Sequence, residues 1–113
     1  MFLDSKERDI VKRLLAMCAE FDDSFEYRKL RYENRKGAYD LLLGFPCLSF
    51  NIMVETKRPK GGFLSPHQLA EGKFLHAIGI NTCVISTIDD ITEFKAALEG
   101  LALKKFTPYI TQH

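Results

Sequence analysis

The sequence predicts a small α/β protein in which helices cover a mixed β-sheet. Apolar residues recur at helical spacing near both ends of the chain, which predicts helices at 4–18 and 89–101. Two apolar runs at 38–45 and 49–57 are separated by a short turn and predict a hairpin. The segment joining the second run to the apolar run at 81–87 has the length of a right-handed helical crossover, which would make those two strands parallel.

Length and composition indicate one compact domain, residues 1–113, with a modest core. Hydrophobic residues make up 46% of the chain and include nine phenylalanines, which favours a packed fold over disorder. No apolar run approaches the roughly 20 residues that span a bilayer, so we expect a cytoplasmic protein without membrane contact. The three cysteines lack CxxC spacing, which indicates reduced thiols rather than a disulfide framework or a zinc site.

The central predicted helix has clear boundary signals. Ser65 is a candidate N-cap, Pro66 occupies the first helical position, and Gln68 follows the cap at capping-box spacing. Gly79 is the expected stop signal. This helix should therefore begin directly after the glycine-containing loop "RPKGG".

The two terminal helices carry similar but less complete signals. Asp4 and Glu7 have capping-box spacing at the start of the first helix, and Asp90 and Glu93 have it at the start of the last. The C-terminal stretch 106–113 is predicted to be a tail outside the helix.

The strand predicted at 49–57 carries charged residues near its end, although a strand covered by helices should be apolar there. Glu55 and Lys57 are two residues apart and so share one face of a strand that helices should cover. A buried charge is costly unless it is paired or binds an ion, so the two could simply form an ion pair. Asp40 lies inside the other hairpin strand, and two carboxylates on one face repel unless a cation separates them. Oxygen ligands without histidine or cysteine suit Mg²⁺ or Mn²⁺.

The segments "KGAYDLLL" and "VETKRPKGGFLSPHQ", followed by a helix, "GI" and "TCVIST", resemble the virus-type replication-repair nuclease (VRR-NUC) family, a branch of the PD-(D/E)XK nucleases. The resemblance extends over roughly residues 5–99. A bare D…ExK pattern occurs by chance, whereas E-x-K-x-P-x-G-G-x-L-S-P-x-Q in a strand–loop–helix context is specific. The resemblance implies an α/β fold of the restriction-endonuclease-like type, a three-layer sandwich whose small mixed central sheet is flanked by helices.

The resemblance also implies metal-dependent hydrolysis of DNA phosphodiesters and assigns roles by position. The metal ligands would be the Asp40 and Glu55 carboxylates and the Thr56 backbone carbonyl. Lys57 would be the catalytic lysine, and Gln68 matches the family's glutamine on the helix after the loop.

Two positions allow more than one interpretation, and a third departs from the family pattern. Glu7 falls where the family carries an acidic catalytic residue on its first helix, but it could only cap that helix. Gln68 could complete the Ser65 capping box, act at the site, or do both. Tyr39 stands where family members usually have proline; that proline shapes the chain and donates nothing to metal, so the chemistry should be unaffected.

Basic residues cluster between positions 28 and 60, where they could contact DNA phosphates. The candidates are Arg28, Lys29, Arg31, Arg35, Lys36, Arg58 and Lys60. Solvated strands and loops also carry such residues, so a purely water-facing role is the alternative.

These observations predict a structure-specific DNA endonuclease with Mg²⁺ or Mn²⁺ as cofactor, in a bacterial or phage-infected cell. Small stand-alone members of the family resemble Holliday-junction resolvases, so branched DNA and a second copy of the chain are the expected partners. The alternatives are a non-cleaving DNA-binding module of the same fold and an end-dependent flap nuclease or exonuclease.

Overall fold

The computed structural model describes residues 5–30, 39–57 and 65–111, with side chains described for residues 8–104 of those ranges. The elements follow the predicted order of helix, hairpin, helix, strand and helix. They are α1 (Ser5–Phe21), β1 (Glu26–Lys29), β2 (Leu41–Phe45), a 3₁₀ turn (Pro46–Leu48), β3 (Phe50–Thr56), α2 (Pro66–Ala77), β4 (Thr82–Ile85) and α3 (Ile88–Thr111).

The four described strands form one mixed sheet in the order β1-β2-β3-β4. β2 pairs antiparallel with both β1 and β3, whereas β3 and β4 are parallel and joined through α2. The predicted hairpin and the predicted parallel crossover are therefore both confirmed. The parallel pairing makes β3 an interior strand whose C-terminal end is covered on both sides.

The sheet lies between two helical layers, as the three-layer expectation requires. α1 and α3 pack on one face and form the core with the residues of β2 and β3 that point toward them. The side chains of this core are Ile10, Leu14, Cys18, Leu41, Leu43, Phe45, Ile52, Val54, Ile85, Ile91, Phe94 and Leu98. α2 lies on the other face, where it contacts the β3 end. None of the described helices combines the length and the apolar character that a membrane crossing needs.

Phe45 occupies the centre of the core because four other phenylalanine rings surround it. Its ring centroid lies 5.2 Å from Phe25, 6.2 Å from Phe50 and Phe94, and 6.3 Å from Phe21. These rings come from α1, β3, α3 and the loop before β1. Aromatic packing therefore joins the α1–α3 layer to the β2–β3 hairpin.

The start of α3 differs from the prediction. The capping box expected for Asp90 and Glu93 lies one turn earlier, at Thr87 and Asp90. Thr87 Oγ1 accepts from Asp90 N at 3.0 Å, while Asp90 Oδ2 accepts from the backbone of Ser86 and Thr87 at 2.9 and 3.0 Å. In this arrangement the Asp90 carboxylate accepts from the backbone of Ser86 and Thr87 and from the Ser86 hydroxyl at the start of the helix.

The end of α3 also differs from the prediction, since the helix continues through 106–111 instead of ending in a tail. The preceding Leu101–Lys104 are good helix formers and no glycine stop follows them. Pro108 lies within the continuation and lacks a backbone N–H, which is why the sequence favoured a tail there. The expected Asp4–Glu7 capping box lies outside the described side chains.

Candidate active site

Glu55 is buried at the C-terminal end of β3, with 5% of its surface exposed. Its neighbour Val54 points into the α1–α3 core, so strand alternation turns Glu55 toward α2. There its Oε2 accepts a hydrogen bond from Gln68 Nε2 at 2.5 Å. A carboxylate in such a place needs hydrogen-bond or ionic partners to offset its loss of hydration.

Gln68 completes the Ser65 capping box and also contacts Glu55, while its part in the chemistry stays a prediction. Its Oε1 accepts from Ser65 N at 3.0 Å, and its own backbone N donates to Ser65 Oγ at 3.2 Å, which completes the capping box. The amide orientation follows from Ser65 N, which can only donate, so Gln68 Oε1 faces it and Nε2 faces Glu55. The start of α2 and the Glu55 carboxylate are thus joined by one side chain.

Asp40 lies at a bend directly before β2, whereas the sequence placed it inside the strand. Its carboxylate replaces the backbone carbonyl that would accept from Thr56 N in a continued strand pairing. Asp40 Oδ1 accepts from Thr56 N at 3.3 Å, and Asp40 Oδ2 accepts from Thr56 Oγ1 at 2.8 Å. The β2–β3 register, continued by one residue beyond Leu41–Val54, puts Asp40 opposite Glu55. The two acidic residues therefore lie at the same end of adjacent strands.

The charge state of Asp40 reflects this environment. Burial raises its pKa above the ordinary value of 3.8, while hydrogen bonds from Thr56 and the charge of Lys57 act in the opposite direction without cancelling the effect. A further cation at this position would favour the charged form of Asp40.

Lys57 follows β3 directly, and its half-buried side chain stands at the same strand end. Its backbone N donates to Ile85 O at 3.0 Å, which extends the parallel pairing with β4 by one residue. The strand end that carries Glu55, Thr56 and Lys57 is therefore held by β4 on one side and by Asp40 on the other.

Two features of this region were missed from the sequence. The Thr56 hydroxyl, whose residue was considered only for its carbonyl, donates to Asp40. Tyr39, considered only as a replacement for proline, is 3% exposed and has its hydroxyl next to Gly72 of α2. The unusual glycine inside a predicted helix was the available signal for the second contact.

The basic residues of β1 lie on opposite faces of the sheet. Arg28 pairs with Leu42, which pairs with Met53, and this row lies on the Glu55 face. Lys29 belongs to the alternate row, on the face of Val54. Both side chains are exposed, and Arg28 makes a 3.4 Å ion pair with the exposed Glu26.

The remaining predicted site residues lie outside what the structure describes. For Glu7 only the backbone, within α1, is described. The other positions are Arg31, Arg35, Lys36, Arg58 and Lys60.

The donor atoms at the strand end fit a hard divalent cation. The available groups are the Asp40 and Glu55 carboxylates and the Thr56 carbonyl, all oxygen donors of the kind that Mg²⁺ and Mn²⁺ prefer. The described side chains include no group of three or more His, Cys, Asp or Glu that could hold a metal ion. A metal at this strand end would therefore be held by two carboxylates and a backbone oxygen. Such a set suits Mg²⁺, which keeps part of its own water shell.

A scan of the sequence against models of protein families found no match, and a search of curated proteins found none either. A search of solved structures found one described as "VRR_NUC domain", with a TM-score of 0.59 and 30% sequence identity. The match covers 73% of this chain and 89% of that chain. The similarity therefore extends over most of both chains, in sequence as well as in fold.

Proposed function

Because this chain belongs to the VRR-NUC family of nucleases, we propose that it is a metal-dependent, structure-specific endonuclease acting on DNA. The observation that carries the proposal is the juxtaposition of Asp40, Glu55 and Lys57 at one end of the β2–β3 pair. A structural ion pair alone would not need two acidic residues there, nor a glutamine from another helix bound to one of them.

The roles of the residues follow from their chemistry. Asp40, Glu55 and the Thr56 carbonyl would hold Mg²⁺ or Mn²⁺, which supplies positive charge at the scissile phosphate and lowers the pKa of water. Lys57 would orient the attacking water or offset the charge that develops on the phosphate. Gln68 would keep the Glu55 carboxylate in one orientation.

The open part of the sheet face beside these residues would receive the DNA backbone. Arg28 borders a depression of 260 Å³ whose lining also includes Leu42, Gly44 and Asn51. Two strand spacings and two residue steps separate Arg28 from Glu55, roughly 12 Å at standard sheet dimensions. A DNA strand at the carboxylates would therefore pass within reach of this guanidinium. Such contacts read charge and shape rather than base sequence.

Branched DNA is the proposed substrate, and a homodimer is the proposed assembly. A two-fold pair would present two sites to a symmetric four-way junction, as in Holliday-junction resolvases. The proposed place of action is the cytoplasm of a bacterial or phage-infected cell, where the thiols of Cys18, Cys47 and Cys83 would stay reduced.

A panel of labelled junction, flap, nicked and linear DNAs, each with Mg²⁺, Mn²⁺ or EDTA, tests the proposal. We expect cleavage of junctions at internal positions, with loss of activity in EDTA. Products that depend on a free end would indicate a flap nuclease or exonuclease. Binding without cleavage of any DNA would indicate a non-cleaving module.

The lysine can be tested with a matched pair of variants. Lys57→Ala should lower kcat at least about 100-fold, the loss typical of one electrostatic group at a reacting centre, and leave DNA affinity largely in place. Lys95→Ala changes the same side chain at an exposed position on α3 and should cut at the wild-type rate. Normal turnover by Lys57→Ala would remove this lysine from the mechanism.

A further inference from the structure

Tyr39, in the segment that leads into β2, lies against Gly72 of α2. A Cβ atom placed at Gly72 would lie 2.7 Å from the Tyr39 hydroxyl oxygen, closer than real side chains approach. The same atom would lie 3.6 Å from Tyr39 Cζ, an ordinary contact distance. Only the hydroxyl therefore forbids a side chain at position 72.

The two residues that make this contact are next to site residues. Gly72 follows Gln68 by four residues, so the two share one face of α2. Tyr39 directly precedes Asp40 in the chain and is buried. The contact therefore links the backbone before one acidic residue to the helix whose glutamine binds the other.

A glycine in a helix interior is unfavourable unless space demands it. Gly72 lies in the middle of α2, where alanine would stabilise the helix if the hydroxyl were absent. The chain thus keeps a poor helix former at the one described position of α2 where Tyr39 needs room.

We propose that Tyr39 is a positioning residue: its contact with Gly72 sets the separation of α2 from the sheet and so keeps Gln68 on Glu55. The contact itself does not depend on the reaction, whereas its effect on cleavage rests on the proposed nuclease function. Tyr39 touches no reacting atom and acts through α2.

The test uses Tyr39→Phe, Gly72→Ala and the double variant Tyr39→Phe/Gly72→Ala. Gly72→Ala should push α2 outward, lower kcat about 100-fold through misplacement of the site, and leave KM for DNA unchanged. In the metal-free protein, the NMR resonance of the Gln68 side-chain amide should shift, because its bond to Glu55 is stretched. The double variant should restore both kcat and the resonance, since phenylalanine leaves only the 3.6 Å contact. Tyr39→Phe alone removes the hydroxyl and leaves a gap at Gly72, so it should shift the Gln68 resonance and lower kcat, each less than Gly72→Ala does. Wild-type values of both in Tyr39→Phe would show that the hydroxyl does not set the position of α2.

Thermal unfolding supplies a control, because the change in Tm caused by Gly72→Ala should differ in sign between two backgrounds. Gly100→Ala in α3 meets no atom within 4 Å, so it should raise Tm by about 4 °C in both the wild-type and Tyr39→Phe backgrounds. Gly72→Ala should lower Tm in the wild-type background and raise it in the Tyr39→Phe background.

The proposal is overturned if Gly72→Ala keeps the wild-type Gln68 resonance and kcat, or if the double variant does not restore the resonance. If Gly72→Ala does not fold, a folded double variant with the wild-type resonance supports the proposal, and an unfolded one overturns it. If the wild-type protein cuts no DNA, the nuclease proposal fails, while the resonance and Tm still decide whether Tyr39 positions α2.

Discussion

Gln68 links the start of a helix to a buried carboxylate through one side chain. Its oxygen accepts from the N-cap of α2, while its nitrogen donates to the buried Glu55 carboxylate. Loss of the side chain would therefore weaken the start of the helix and remove one hydrogen bond from the buried Glu55 carboxylate. This coupling ties the position of the candidate site to the beginning of α2.

Asp22 is a second buried acidic residue, with a purely structural arrangement. Its carboxylate accepts from the backbone and hydroxyl of Ser24 at 2.8 and 2.6 Å and from Cys47 N at 3.1 Å. Burial acts to raise its pKa, but these hydrogen bonds outweigh it and leave the pKa below the ordinary value. Asp22 thereby fastens the loop after α1 to the turn between β2 and β3.

Asp90 offers a pH-dependent test at the start of α3. Burial acts to raise its pKa, and hydrogen bonds from Ser86 and Thr87 outweigh this and lower it. A lowered folded-state pKa gives stability that is present above the ordinary value of 3.8 and is lost as the pH falls through the folded-state value. Asp90→Asn should therefore cost about 1 kcal/mol at neutral pH and progressively less in acid.

Urea unfolding of the wild type and this variant across the acidic range measures the effect. Asp89→Asn makes the same change of charge at an exposed position of the same helical turn and should cost much less. A difference between wild type and Asp90→Asn that stays constant down to acid would contradict the assigned role of the carboxylate.

At the scale of elements, β1 separates its two described basic residues by face. Arg28 lies on the Glu55 side of the sheet and Lys29 on the core side. If DNA runs along the Glu55 side, Arg28→Ala should weaken binding and reduce the slope of log K against log salt by about 1. Titrations at several salt concentrations measure this slope.

Lys29→Ala is the matched control for that experiment because it removes one charge from the adjacent residue. We expect its affinity and salt slope to remain those of the wild type. Equal losses for the two variants would place the DNA across the β1 edge rather than along the Glu55 face.

At the scale of the whole molecule, the apolar core and the candidate site lie on opposite faces of the sheet. The apolar core lies between the sheet and the α1–α3 layer, whereas Glu55 faces α2. Leu98→Ala, at a fully buried position of α3, should cost 2–5 kcal/mol of unfolding free energy, in the range of buried leucine truncations. Below its melting temperature this variant should keep the wild-type kcat.

Denaturant unfolding and cleavage assays on the same samples check both parts. Leu103→Ala makes the same truncation on the same helix at a side chain that is 66% exposed, and it should be close to neutral. A large fall in kcat of folded Leu98→Ala would show that the core face also controls the site.

The order of elements could be predicted because local signals agreed with the tertiary structure. Ser65, Pro66, Gln68 and Gly79 mark α2 at its two ends, and Gly79 has the positive φ of 87° expected at a helix stop. The shifted cap of α3 could not be chosen from sequence because Asp90 fits two capping boxes. Which of the two capping boxes forms depends on the residue at which β4 ends.

The sequence by itself determined the class of the fold, the α2 boundaries and the spacing of Asp40, Glu55 and Lys57, because periodicity and capping act over a few residues. Only the tertiary structure decided that Asp40 bonds Thr56, that Gln68 bonds Glu55 and that Tyr39 stands against Gly72. These contacts join residues 13 to 33 positions apart in the chain. They form when strands pair and helices pack, and no local preference of either partner specifies them.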